Sequence, residues 1–228
     1  MAVGFRVYTK IKRADTKLVE AFKGIPVANI ADNMGRIYCI DTSIHPFCPA
    51  PLLGVAFTVK VPPGDNLMFH KAIDLAQPGD VIVIDGEGGI NHSLCGDIMF
   101  NLAKKKGIAG FVIDGCIRDV DALIEMNFPV YAKGVQPKGP YKNGPGEINV
   151  PVSIGGIVVC PGDIIVGDGD GVVVIKEADA KNVYELSKKQ FDKEQVMLED
   201  IQKGTIDRAW VDKTLLANGG EIIDDYCK

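Results

Sequence analysis

Apolar and polar positions change rhythm along this chain, and each change marks an element. From Gly54 to Val61 (GVAFTVKV) the two alternate and β-branched residues abound, which predicts a strand. Val81 to Ile84, and the run that ends in Asp114, are apolar stretches bounded by turns and read as strands. A helical pattern begins at Gly96-Asp97, and another covers Val120 to Met126. Residues 81–121 therefore read strand, glycine-rich turn (Gly86, Gly88, Gly89), helix, strand, loop, helix. Polar groups gather where each strand hands over to its helix. Ligands of α/β folds collect at such ends, where backbone N–H groups point outward and helix dipoles favour anions. A small anionic ligand, with a divalent cation beside Asp119, is the expectation for this stretch.

The flanks are shorter in period. Asp15 or Thr16 caps a helix through Phe22, which Gly24 and Pro26 break. Val27 to Met34 predicts a second short helix, with Asp32 and Asn33 as helix-end polar groups. His45 to Pro51 is a proline-rich connector, and Asn66 to Leu75 predicts a helix. Pro129 to Ala132 reads as a strand and residues 133–149 as a glycine- and proline-rich loop. Val150 to Ile154, Ile157 to Val159, Ile164 to Val166 and Gly171 to Ile175 are short strands with tight turns, which points to an antiparallel or mixed β layer. Ala178 to Lys203 is a long charged helix with Val183, Leu186, Phe191, Val196 and Leu198 as apolar contacts. Asp207 to Ala217 is the last helix.

The 228 residues suit one large domain, or one domain with terminal extensions. With 46% apolar residues the chain can build a substantial core. The net charge of −5 and the scattered Lys and Arg residues argue against nucleic acid as a partner. Lys104-Lys105-Lys106 fits the last turn of a helix. The six cysteines form no C-x-x-C pair, so they are expected to be reduced core residues of a cytoplasmic protein without a zinc framework. The start MAVGFRVYTKIKR lacks the apolar core of a signal sequence, so none is expected, and no apolar run approaches the roughly 20 residues that span a bilayer.

Two sets of residues carry the candidate chemistry. Asp119 either caps the helix that follows it, or holds a hard cation while Arg118 binds a carboxylate or a developing oxyanion. Gly96 and Asp97 either pack a helix start, or let the N–H groups of Gly96, Asp97, Ile98 and Met99 face an anion while Asp97 orients water at the metal. His45 reads as structural; His92 lies in the loop that leads to Gly96; His70 lies on the Asn66 to Leu75 helix. Lys142 sits in the later glycine-rich loop. No P-loop, H-E-x-x-H or G-x-S-x-G motif is present.

Three sequence groups then combine: G-D-x-x-x-x-D at Gly79 to Asp85, Gly96-Asp97, and D-G-x-x-R-D at Asp114 to Asp119. With N-V-P-V-S-I-G-G at Asn149 to Gly156, P-G-D at Pro161 to Asp163 and D-G-D-G-V-V-V at Asp168 to Val174, they resemble the RraA-like family over residues 25–176. The C-terminal segment with R-A-W-V-D-K at Arg208 to Lys213 resembles its 4-hydroxy-4-methyl-2-oxoglutarate and 4-carboxy-4-hydroxy-2-oxoadipate aldolase branch. The resemblance implies an α/β fold, an α/β/β sandwich of the swivelling-domain type in residues 1–176. It implies a helical extension over 177–228 and a homotrimer or dimer of trimers with sites between subunits. It further implies that Asp119 holds Mg²⁺ or Mn²⁺, that Arg118 binds a 2-oxo acid and stabilises an enolate, and that the amides of Gly96 to Met99 bind the pyruvyl carboxylate. Asp97 would hold water at the metal. Glu194 would reach a neighbour's site, and His70 and Lys142 would be secondary contacts. The expected activity is metal-dependent aldol cleavage with oxaloacetate decarboxylation; the alternative is a non-enzymatic regulator of an RNA-degrading enzyme.

Overall fold

A computed structural model describes residues 3–227. The chain runs β1 (Phe5–Val7), α1 (Thr16–Ala21), α2 (Val27–Asp32), β2 (His45–Pro46), β3 (Leu52–Lys60), α3 (Leu67–Leu75), β4 (Asp80–Cys95), α4 (Asp97–Lys106), β5 (Gly110–Ile117), α5 (Val120–Met126) and β6 (Val130–Val135). It continues through β7 (Gly146–Ile148), β8 (Val152–Ile154), β9 (Ile157–Val159), β10 (Ile164–Asp168), β11 (Gly171–Ile175), α6 (Ala180–Lys203) and α7 (Ala209–Ala217). It divides into two compact units between Lys188 and Lys189.

The sheet of the first unit has the order β1-β7-β3-β4-β5-β6-β2, and β3 to β6 are parallel. The continuous apolar runs of β4 and β5 are explained by cover on both faces. On one face α3, α4 and α5 bury Phe57, Phe69, Phe100, Phe111 and Phe128 among the alternate residues of the strands. Phe111 meets Phe69 and Phe128 edge to face, at ring separations of 4.9 and 5.1 Å. On the other face β8, β9, β10 and β11 close over Ala56, Val81, Val83, Val112 and Tyr131. The helices α1 and α2 pack Phe22 and Ile30 outside β10 and β11. The result is helices, sheet and a second β layer, a mixed α/β fold of the expected α/β/β type. Among the described residues no helix is long and apolar enough to cross a membrane.

Several expectations change. The N-terminal region, expected to be helical at its start, contributes β1 as well, and the 133–149 loop contains the end of β6 and all of β7. β1 and β7 are three-residue strands held by pairing to each other and, through β7, to β3, so no local pattern announces them. β4 does not stop at Asp85. It detours and rejoins β5, with Asp85 opposite Asp114 and Cys95 opposite Ile117, and register shifts between. The cysteines are free, but Cys39 and Cys227 are exposed; Cys48, Cys95 and Cys116 lie in the core. In the long helix Val183 is buried, whereas Leu186, Val196 and Leu198 are exposed.

Other details hold. Asp15 caps α1 by accepting from Lys17 N at 2.9 Å. Lys104, Lys105 and Lys106 do fill the last turn of α4, before Gly107 in the left-handed conformation. His45 stacks on Phe47.

Candidate active site

The site forms where β4 and β5 end. β4 ends at Cys95, and Gly96 turns the chain into α4. β5 ends at Ile117, one residue before Arg118. Asp119 then adopts the left-handed conformation (φ 59°, ψ 43°) ahead of α5. Asp tolerates this conformation better than most side chains do, though it is costly and concentrates at functional positions.

Asp119 does not cap its own helix. Its Oδ2 accepts the N–H of Asp97, at 3.0 Å, from the first turn of the neighbouring helix α4. The Nε of Arg118 lies 3.5 Å from the same oxygen. Gly96 makes this approach possible, because a Cβ there would fall on Asp119 Oδ2 and crowd Arg118. Asp97 turns its carboxylate to Asn101, whose Nδ2 donates to Oδ1 at 2.7 Å.

The amides of α4 are not all free, as the sequence alone had suggested. That of Asp97 goes to Asp119, and that of Met99 donates to Gly96 O at 2.9 Å. The amides of Gly96 and Ile98 make no protein hydrogen bond among the described residues. The anion position at the helix start is thus half built from backbone and half held by the Asp119 carboxylate.

A cleft of about 360 Å³ opens here. It brings together His70, Gly96, Asp97, Ile98, Met99, Arg118, Asp119 and Lys142. Asn66, Cys95 and Pro140, which the sequence did not single out, also line it. The signal for Asn66 was its place directly after the Pro62-Pro63-Gly64-Asp65 turn, at the start of α3. Its Nδ2 donates to Leu94 O at 2.8 Å. His92 is not among the lining residues and packs on Tyr141 instead. Glu194 belongs to the second unit, on α6, and accepts from Gln190 at 3.0 Å. A larger hollow of about 630 Å³ lies beside α2, mostly apolar. Its one carboxylate, Asp168, is already bonded to the amides of Val27 and Asp170.

Charge in the cleft is arranged by its surroundings. Burial and the ammonium of Lys142 hold the His70 pKa below its ordinary 6.5, so the ring is neutral at pH 7. Burial, with Asp119 beside it, pushes the Cys95 thiol well above 9.0 and leaves it a poor nucleophile. Among the described residues no three His, Cys, Asp or Glu side chains are grouped to hold a metal ion. A zinc cage therefore does not fit. A hard cation does: Mg²⁺ binds through one or two carboxylates and keeps waters and ligand oxygens, and Asp119 Oδ1 has no protein partner among the described residues.

Known proteins share this architecture. The sequence profile of the family described as RraA-like: Aldolase/RraA matches residues 27–174. A protein of Halalkalibacterium halodurans named "Putative 4-hydroxy-4-methyl-2-oxoglutarate aldolase" is 41% identical over 79% of this chain and 86% of its own length. The crystal structure of an uncharacterized protein from Pseudomonas syringae pv. tomato superposes with a TM-score of 0.78 at 28% identity, covering 86% of this chain and 97% of that one. The RNA-processing inhibitor RraA from Thermus thermophilis superposes with a TM-score of 0.62 at 28% identity, covering 66% and 92%.

Proposed function

This chain belongs to the RraA-like family, and we propose that its cleft is the active site of a divalent-metal-dependent lyase. It cleaves 4-hydroxy-4-methyl-2-oxoglutarate, or a related 4-hydroxy-2-oxo acid, to pyruvate, and decarboxylates oxaloacetate as a side activity. The observation that carries this reading is the meeting, in one cleft, of a helix start with open amides, Arg118 and the carboxylates Asp97 and Asp119. The name of the Halalkalibacterium relative supports it.

The amides of Gly96 and Ile98 receive the carboxylate of the 2-oxo acid. Arg118 faces the C2 keto oxygen. A water oriented by Asp97 takes the proton of the C4 hydroxyl, and the O–H electron pair becomes the second bond of a new carbonyl. The C3–C4 bond breaks, and its electrons form the enolate of pyruvate. Arg118 stabilises the charge that grows on the C2 oxygen. Return of the proton to C3 gives pyruvate. Loss of CO₂ from oxaloacetate leads to the same enolate. Mg²⁺ or Mn²⁺ beside Asp119 would supply electrophilic pull on the keto oxygen.

No lysine adduct is needed. Lys142→Ala is expected to keep more activity than Arg118→Ala, and borohydride to trap no substrate on the protein. The working assembly in this reading is a homotrimer or dimer of trimers, with Glu194 approaching a neighbour's cleft. Light scattering and the activity of Glu194→Gln test it.

The deciding assay is pyruvate release from both substrates, with Mg²⁺ and with EDTA, for wild type, Arg118→Ala and Asp119→Ala. Metal-dependent release that both variants lose supports the reading. A second reading, a non-enzymatic regulator of RNA degradation, draws on the likeness to the Thermus inhibitor. It gains if wild type releases no pyruvate from either substrate.

A further inference from the structure

Residues 136–145, between β6 and β7, run past the cleft as a strap that carries Pro140 and Lys142. Backbone bonds hold its middle. Ser93 N donates to Lys138 O at 2.8 Å, Tyr141 N donates to Gly64 O at 2.8 Å, and Asn66 N donates to Tyr141 O at 3.0 Å. One buried side chain fastens the next two residues. Asp65, only 4% exposed, accepts through Oδ2 from Asn143 N at 2.6 Å and Gly144 N at 3.0 Å. Its Oδ1 accepts from Leu67 N, at 2.9 Å, in the first turn of α3.

A carboxylate so deeply buried is costly unless strong donors surround it. Three amides aimed at one group meet that requirement. The same carboxylate thus ties the start of α3, which carries His70, to the two residues that follow Lys142. The function of the cleft as read so far does not use this bond.

We propose that Asp65 is a positioning residue of the active site: its carboxylate anchors the strap so that the Lys142 ammonium stays at the cleft, beside His70, where the anionic ligand enters. The proposal rests on reading the cleft as a 2-oxo acid site. Asp65→Asn keeps a single acceptor oxygen and loses the charge, so it cannot hold both the strap amides and the Leu67 N–H, and the shorter side chain of Asp65→Ser releases the strap end.

The Lys142 charge helps to depress the His70 pKa, while Asp74 on the same helix opposes it. The titration of His70 therefore reports how near Lys142 is held, without any turnover. The experiment is an NMR titration of the His70 ring in the full chain, its resonance assigned with His70→Gln. Wild type is compared with Asp65→Asn, Asp65→Ser, Lys142→Met and the double variant Asp65→Asn/Lys142→Met. Only resonances of the folded population are followed, so lost stability cannot imitate the result.

Each single variant is expected to move the His70 pKa up toward 6.5, and the double variant to move it no further than Lys142→Met does. With substrate, KM rises severalfold in the Asp65 variants while kcat changes little, as when uniform binding is lost. A wild-type His70 titration in the Asp65 variants, or additive shifts in the double variant, overturns the proposal. Wild-type protein that releases no pyruvate overturns the lyase reading instead, and the titration still decides what Asp65 does.

Discussion

Charged groups lie at two levels, on the strands β1 and β3 to β7 and just past the ends of β4 and β5, and the two levels behave differently. At the lower level, cross-strand partners form a row of charge over six strands: Arg6, Glu147, Lys60, Asp85, Asp114 and Lys133. These side chains share the sheet face away from α3 to α5. Every charge has an opposite neighbour. Arg6 Nε lies 2.5 Å from Glu147, Lys60 lies 3.5 Å from Asp85, and Lys133 lies 2.8 Å from Asp114. The Asp85 and Asp114 side chains are 7% and 12% exposed. A few residues further along, Arg118 and Asp119 are 43% and 42% exposed, and Asp119 sits in a strained backbone conformation. The first set neutralises itself within the sheet. The second leaves charge available to a ligand. An acidic residue at a strand end is therefore not enough to mark a site; what matters is whether the neighbouring strand already answers its charge.

Substitutions can break this contrast. The largest effect is expected at Arg118. Arg118→Ala lowers kcat/KM by about a thousandfold, with stability within about 0.5 kcal/mol of wild type. Pyruvate assays and urea melts check both halves. In the row the balance reverses: Asp114→Ala strands the Lys133 ammonium in a half-buried place and costs about 3 kcal/mol by urea unfolding. The KM of the protein that remains folded changes little. Asp119→Asn keeps a residue type that tolerates the left-handed conformation, so its melting temperature stays near wild type while Mg²⁺-dependent turnover is lost. The smallest effect is that of pH. The His70 pKa is lower in the folded than in the unfolded chain, so its contribution costs nothing above pH 6.5. Stability falls as the pH drops from there through the folded value, because the unfolded chain takes the proton first. His70→Gln flattens that part of a melting-temperature profile.

The sequence made the central fold legible because β4 and β5, buried on both faces, announce themselves as apolar runs, and β3 as a stretch rich in β-branched residues. It could not show β1 and β7, whose three residues owe their state to a distant edge. The helix starts at Gly96 and Asp119 were readable from turn chemistry, and Arg118, Asp119, Asp97, His70 and Lys142 do meet in one cleft. What local pattern could not reveal is that Asp119 would bond to the start of α4 rather than of α5, since that depends on how the ends of β4 and β5 align. Asp65 read only as the end of a turn and Asn66 only as the start of a helix for the same reason: the strap they touch lies far along the chain.

The central claim is that a pyruvate enolate forms against Arg118, and it can be tested without choosing among substrates. Pyruvate is incubated with the protein in D₂O, and exchange of its methyl protons is followed by NMR with Mg²⁺ and with EDTA. The account predicts metal-dependent exchange in wild type that disappears in Arg118→Ala and Asp119→Asn. Exchange no faster than in buffer, or exchange that survives in Arg118→Ala, would contradict it.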